Sequence, residues 1–233
     1  MKRFCAQKGF TLVEMAIVVT IIGIMIGSVV AGQQIATNAR VAAQVSQVTA
    51  MDSGISKFRT IFSALPGDMA NPSVRLPNCT AFPCSAAGDA DGRIGTAFTA
   101  PTQVPAAGSI EAGAFWAQLA AVNLVRGVGV NGAAAFGDGY PAARIGLGGY
   151  QVGTANNSRL YLINVQTLGQ ITAGADSGVM TPSQAAQIDR KMDDGLGNTG
   201  SVLSAGAACT DAVGVYLEAS VTKDCGQFYA IQE

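Results

Sequence analysis

The chain has 233 residues, and its 14 Lys and Arg against 15 Asp and Glu give a formal net charge of −1 at pH 7. This balance argues against electrostatic binding of nucleic acid as the main role. The sequence contains no His. The usual general base and the Ser-His and Cys-His nucleophile pairs are therefore missing, and the sequence does not predict an enzyme.

An apolar segment lies near the N-terminus, at residues 10–31, and Glu14 is its only charged residue. At about 1.5 Å per residue, a helix of this length crosses a hydrocarbon core of roughly 30 Å. A carboxylate there costs about 3 kcal/mol, so a lone Glu indicates a partner or a functional demand. Lys2, Arg3 and Lys8 precede the segment. The positive-inside rule places them in the cytoplasm and the rest of the chain outside it.

The peptide that leads into this segment has a specific pattern: residues 8–14 read KGFTLVE. This pattern resembles the processing motif of type IV pilins and pseudopilins. In that family a prepilin peptidase removes a short basic leader ending in Gly and methylates the exposed Phe. The resemblance implies cleavage after Gly9, N-methylation of Phe10 and a role for Glu14 in assembly. The alternative is an uncleaved signal anchor.

The resemblance also implies a location and partners. The precursor would cross the bacterial inner membrane once, with its head in the periplasm, and the mature subunit would join a periplasmic or cell-surface filament. Its partners would be the prepilin peptidase, the inner-membrane assembly platform and other pilin-like subunits, in homo- or hetero-oligomers. The filament would be a type IV pilus or a type II secretion pseudopilus. The alternative is a minor or tip subunit that recognises a surface, DNA or a secreted substrate.

Beyond the apolar segment, apolar residues recur at three- and four-residue steps from Val41 to Leu65, which predicts that the helix continues in amphipathic form. Pro66 and Gly67 supply the break. The predicted organisation is a cleaved leader at 1–9, a membrane and filament-core helix at 10–31, its amphipathic continuation at 32–64, and a head at 65–233.

The head is predicted to begin with a loop-rich insertion at residues 72–109. Ser109 then caps a helix whose buried face carries Phe115 and Trp116. Thr181 caps a second helix that starts at Pro182.

Strand-like runs lie between and after these helices. They cover residues 144–152 and 159–165, which form a predicted hairpin, and residues 213–219 and 227–231. The predicted fold class is therefore α+β, with a long N-terminal helix packed on a small antiparallel sheet, as in type IV pilins.

The chain contains five Cys, an awkward number for an exported protein. Removal of the leader takes Cys5 away and leaves four, which can pair completely. Three connectivities are possible. Closeness in sequence favours Cys79 with Cys84 and Cys209 with Cys225, and the second pair resembles the disulfide-bounded C-terminal region of many pilins. Buried free thiols are the alternative.

Two acidic clusters are candidates for calcium. Asp89 and Asp91 lie in the peptide GDADGRI at residues 88–94. It resembles the middle of an EF-hand loop but lacks the first carboxylate and the bidentate Glu of that loop. An Asp/Gly turn is the alternative.

The second cluster contains Asp189, Asp193 and Asp194. It is similar in composition to the Asp-rich calcium loop of some major pseudopilins. A helix end followed by a solvated turn explains it equally well.

Overall fold

The computed structural model describes residues 10–100, 103, 109–146, 148–168 and 178–231. Gly9 and Cys5 lie outside this range, as do residues 101–102 and 104–108 of the expected insertion. The elements in chain order are α1 (Leu12–Phe62), α2 (Pro72–Arg75), α3 (Ile110–Ala121), β1 (Gly149–Thr154), β2 (Leu160–Val165), α4 (Pro182–Met192), β3 (Val202–Ala205) and β4 (Gly226–Ala230). The predicted α+β class, with a long N-terminal helix and a small antiparallel sheet, is confirmed.

The chain separates into two units, Met1–Ala39 and Arg40–Glu233. In the first unit the apolar side chains of α1 are exposed, for example Ile17 at 53%, Ile21 at 52% and Ile24 at 74%. In the second unit one face of α1 is buried. The apolar side chains on that face that join the head core are Val41, Val48, Met51, Ile55 and Phe58.

The four strands form one sheet in the order β1-β2-β4-β3, and every neighbouring pair is antiparallel. The expected hairpin is confirmed as β1 and β2, with Gly149 opposite Val165 and Thr154 opposite Leu160. Its first strand begins five residues later than predicted and extends through Thr154. The expected last strand is confirmed as β4, which lies between β2 and β3.

Both faces of the sheet are covered, so β1 and β2 are buried at every position. On one face Leu160 and Leu162 join the core that also contains α1 and α3. On the other face Tyr161 and Ile163 pack with Phe98 in a smaller cluster. This two-sided burial explains why β2 shows no alternation of apolar and polar residues and carries one polar residue, Asn164.

Loop segments add backbone hydrogen bonds to the two outer strands. On β1, the Tyr150 N–H donates to the Pro141 carbonyl at 3.0 Å and the Thr154 N–H donates to the Ile94 carbonyl at 3.3 Å. On β3, the Ser204 N–H donates to the Gly197 carbonyl at 2.7 Å.

The expectation of a strand at residues 213–219 is wrong, because this segment forms turns. Asp211 Oδ1 accepts the backbone N–H groups of Val213 at 3.0 Å and Val215 at 2.9 Å, so a side chain replaces a neighbouring strand as their partner. Gly214 has a φ of +89°, which also interrupts extended backbone. Val213 is 68% exposed and Val215 is 48% exposed.

The two predicted helix caps are confirmed. Ser109 Oγ accepts the Ala112 N–H at 3.1 Å at the start of α3. At the start of α4, Thr181 Oγ1 accepts the Gln184 N–H at 3.4 Å, and Gln184 Oε1 accepts the Thr181 N–H at 3.1 Å. This reciprocal pair is a capping box, with Pro182 in the first turn.

We expect Thr181→Ala to lower the free energy of unfolding by about 1 kcal/mol, because the Gln184 N–H loses its acceptor at the start of α4. Denaturant titration of the full chain in detergent, followed by Trp116 fluorescence, measures this change. Thr60→Ala is the control, since Thr60 is exposed and its hydroxyl donates to the Ser56 carbonyl of its own helix. It should change stability by less than about 0.5 kcal/mol. Equal losses in the two variants would contradict the capping argument.

Candidate functional site

The first candidate site is the start of α1, where Thr11 and Glu14 bond each other reciprocally. The Thr11 N–H donates to Glu14 Oε2 at 2.8 Å, and the Glu14 N–H donates to Thr11 Oγ1 at 3.2 Å. The Thr11 hydroxyl also donates to Glu14 Oε2, at 2.8 Å. Thr11 directly precedes the first helical residue, so these two residues form a capping box.

The capping box gives Glu14 a local role that our sequence interpretation missed. The signal was present as a Thr followed three residues later by a Glu, ahead of an apolar run. A carboxylate in the first turn also interacts favourably with the helix dipole. Glu14 thus stabilises the helix start and leaves a negative charge one turn from Phe10, which is 83% exposed.

The surface that follows Glu14 is apolar. Among the residues that the structure describes, α1 is the one helix long and apolar enough to cross a membrane. The apolar window of α1 is not buried by any other part of the described chain. A helix that is apolar around its whole circumference requires lipid or other helices around it.

Both disulfides favoured by the sequence are present. Cys79 and Cys84 have Cα atoms 5.2 Å apart, and Cys209 and Cys225 have Cα atoms 5.1 Å apart. All four residues are fully buried. Cys225 immediately precedes β4 and pairs through its backbone with Met180, so the second disulfide anchors the loop of residues 209–225 beside α4.

A third residue joins the first acidic cluster. Asp68, just after the break that ends α1, brings a carboxylate oxygen within 4.8 Å of those of Asp89 and Asp91. Asp68 is 4% exposed, whereas Asp89 and Asp91 are exposed. The sequence carried no signal for this contact, because Asp68 lies about twenty residues earlier and fits an ordinary helix-breaking turn. These three groups could hold a metal ion.

Burial raises the pKa of Asp68 above its ordinary value of 3.8, and the nearby Asp91 and Asp89 carboxylates act in the same direction. Burial also raises the pKa of Glu111, which feels the charges of Asp89 and Asp68. Glu111 Oε2 accepts the Gly95 N–H at 2.6 Å. Four mutually repelling acidic groups therefore lie around one loop.

The second acidic cluster also comes together, and its carboxylates already have protein donors. Asp189 is fully buried and accepts the Tyr216 hydroxyl at 2.6 Å and the Gly195 N–H at 3.1 Å. Asp194 accepts the Thr199 hydroxyl at 2.6 Å and the Leu196 N–H at 2.9 Å.

Asp193, between them, organises the loop before β3. Its Oδ2 accepts the N–H groups of Ser201 and Val202. Gly200 has a φ of +78°, and a Cβ there would lie 1.8 Å from Asp193 Oδ2. Glycine is required at position 200 for this close approach. The second cluster could also hold a metal ion, but in this structure it works as a hydrogen-bond centre.

Comparison with known proteins bears on the start of α1. A family model described as the prokaryotic N-terminal methylation motif matches residues 5–30. The chain carries the type IV pilin and pseudopilin signature. No curated protein and no solved structure matches the chain.

The match covers Gly9, Phe10 and the apolar part of α1 as far as residue 30, but not the head. Proteins with this signature are structural precursors rather than enzymes. The signature implies processing by a prepilin peptidase and assembly with other pilin subunits. Together with the exposed apolar surface of α1, it suits an inner-membrane precursor.

Replacing one acidic group in each cluster should change the stability of the protein in opposite directions when a chelator is present. In the wild type the raised pKa of Asp68 means that its ionisation costs stability as the pH rises above 3.8. We therefore expect Asp68→Asn to gain stability relative to wild type between about pH 4 and pH 7. Thermal unfolding in EGTA across this range measures the difference.

Asp194→Asn is the matched control. The Thr199 hydroxyl and the Leu196 N–H lower the pKa of Asp194, so its ionised form contributes stability above pH 3.8. This variant should be less stable than wild type by a nearly constant amount between about pH 4 and pH 7, and the deficit should shrink as the pH falls below 3.8. Parallel profiles of stability against pH for the two variants would contradict a raised pKa at Asp68.

Proposed function

We propose that the chain is a prepilin-like structural subunit, cut after Gly9, N-methylated at Phe10 and assembled through α1 into a type IV pilus or a type II secretion pseudopilus. The observation that carries this proposal is the methylation motif at residues 5–30, followed by a helix whose apolar surface nothing in the described chain covers. An apolar surface of this kind suits a membrane before assembly and a bundle of identical helices afterwards.

In this proposal the precursor lies in the inner membrane with its head in the periplasm, and the mature subunit joins a periplasmic or cell-surface filament. Lys2, Arg3 and Lys8 support a cytoplasmic leader by the positive-inside rule. The two disulfides support an oxidising compartment for the head. The assembly platform of the inner membrane would lift the subunit out of the bilayer.

Glu14 sets the position of each subunit among its neighbours. Cleavage creates a positive amine at Phe10, next to the capping box of Thr11 and Glu14. Within packed apolar helices, the Glu14 carboxylate pairs with the Phe10 amine of its own chain or of a neighbour. Pairing offsets the cost of a charge in an apolar environment, and it favours one register of subunits. Repeated identical contacts that do not close produce an open helical filament.

Glu14 has two roles that substitutions can separate. Glu14→Gln keeps the capping box, because Gln at this position also accepts the Thr11 N–H, but it removes the charge. Thr11→Ala weakens the cap and leaves the charge. We expect Glu14→Gln to lower incorporation into filaments at least about tenfold, since a buried ion pair that loses one partner costs about 3 to 5 kcal/mol. Thr11→Ala should assemble within about twofold of wild type.

Quantitative immunoblots of sheared filaments and whole cells measure incorporation, and mass spectrometry of the N-terminus checks processing in each variant. Thr20→Ala is the control, because the Thr20 hydroxyl donates to the Ile17 carbonyl within the same apolar segment. Normal filaments from Glu14→Gln, with loss in Thr11→Ala, would assign the role of Glu14 to helix capping. An intact Met1 start in the native host with an active peptidase would overturn the proposed processing.

A minor or tip subunit is the second candidate, and the disulfide-bounded loop at residues 209–225 favours it. Val213, Val215 and Val221 are exposed there, at 68%, 48% and 87%. Exposed aliphatic side chains suit contact with an apolar protein surface more than with DNA. The same sheared filaments separate the two candidates, because a major subunit dominates them and a tip subunit is scarce.

A further inference from the structure

The acidic loop at residues 88–92 lies directly against the backbone that follows α1. The Gly88 N–H donates to the Met69 carbonyl at 3.2 Å. A Cβ on Gly88 would lie 2.3 Å from Asp68 Cα, so only glycine permits this approach. The contact brings Asp68 beside the Asp89 and Asp91 carboxylates, although the two segments are distant in sequence.

One oxygen of each carboxylate accepts a backbone N–H. Asp68 Oδ2 accepts from Gly92 at 2.8 Å, Asp89 Oδ1 from Asp91 at 3.2 Å, and Asp91 Oδ1 from Arg93 at 2.7 Å. The other Asp68 oxygen, Oδ1, is buried, and no donor among the described residues makes a well-formed hydrogen bond to it, although the Ala90 N–H also faces the Asp68 carboxylate. A buried acceptor without a donor is costly, and in a native protein it indicates a missing partner.

We propose that Asp68, Asp89 and Asp91 form a calcium site, with Asp68 Oδ1 as its buried ligand. Calcium lies 2.3–2.6 Å from oxygen ligands, so two ligands of one ion are at most about 5 Å apart. The three carboxylates each offer an oxygen within 4.8 Å of the others, which satisfies this limit. Carboxylate oxygens at an irregular, partly exposed site favour calcium over the softer transition metals.

The electrostatics around Asp68 support a bound cation. Asp89 and Asp91 bring their carboxylates within 4.8 Å of that of Asp68, so an ion bound among the three would relieve the repulsion between these groups. Two positive charges act against this effect, because Arg59 and Arg75 line a groove that Asp68 also lines. Arg75 donates to the Phe62 carbonyl at the end of α1, and so anchors that helix end.

The two acidic clusters differ in the hydrogen bonds that their carboxylates accept. In the second cluster, Asp189 and Asp194 each accept two hydrogen bonds from protein donors. Asp193 accepts the backbone N–H groups of Ser201 and Val202. No side-chain oxygen of these three residues is both buried and unpartnered within the described structure. We therefore assign calcium to Asp68, Asp89 and Asp91, where the ion would link the segment after α1 to the insertion.

The test uses the full chain in detergent after EGTA treatment and dialysis. Thermal unfolding is measured with EGTA, with added CaCl₂ and with added MgCl₂, and calorimetric titration with CaCl₂ gives the dissociation constant. At a free calcium concentration 100 times that constant, we expect the melting temperature to rise by about 5 to 10 °C. MgCl₂ at the same concentration should give less than half of this rise.

Asp68→Asn should abolish the calcium-dependent rise while melting at or above the wild-type temperature in EGTA at pH 7, which shows that the variant is folded. Asp89→Asn should also weaken calcium binding. Asp194→Asn is the matched control from the second cluster and should keep the full rise.

Three results would overturn the assignment. Equal melting temperatures in calcium and EGTA would show that no ion binds. A calcium effect lost in Asp194→Asn and kept in Asp68→Asn would place the ion in the second cluster. An equal rise with MgCl₂ would indicate general screening of acidic groups. None of these readouts depends on filament assembly, so the result is independent of the proposed function.

Discussion

The exposed apolar surface of α1 is the constraint on which the rest of the molecule depends. Over its N-terminal part the helix carries Ile, Val and Met around its whole circumference, and no described residue covers them. Water cannot solvate such a surface without a large penalty. The methylation motif and the lone Glu14 lie at the start of this surface. In the function proposed above, the segment would pass from the membrane into the filament.

The C-terminal part of α1 differs from the N-terminal part, because one of its faces is buried in the head. Val41 and Phe58 lie at the ends of a stripe that joins the same core as Trp116 and Tyr229. Beyond this apolar core, Asp189 and Tyr216 bond each other, and the Tyr216 hydroxyl also bonds the Ser204 hydroxyl, at 2.7 Å. This buried polar chain links α4, β3 and the C-terminal disulfide loop, so the head is held by directional bonds as well as by burial.

Features that depend on residues close together in the sequence could be predicted from it. The caps at Ser109 and Thr181, the hairpin of β1 and β2, and the pilin signature all arise from local patterns. The strand predicted at residues 213–219 was wrong, because the Asp211 side chain accepts the N–H groups of Val213 and Val215 in place of a neighbouring strand. The four-residue β3 was missed since it is too short for a clear alternation. Asp68 could not be assigned to the acidic loop, because that contact depends on how distant segments pack.

The hydrogen bonds that loops make to the outer strands have a consequence for self-association. β1 and β3 are the edge strands of the sheet, and open edges invite pairing with strands of other molecules. Here the Pro141 and Ile94 carbonyls occupy donors of β1, and the Gly197 carbonyl occupies a donor of the short β3. Blunted edges discourage β-augmentation between heads. In the filament proposed above, contacts between subunits would therefore come from α1 rather than from strand pairing, and the filament would lengthen without aggregating sideways.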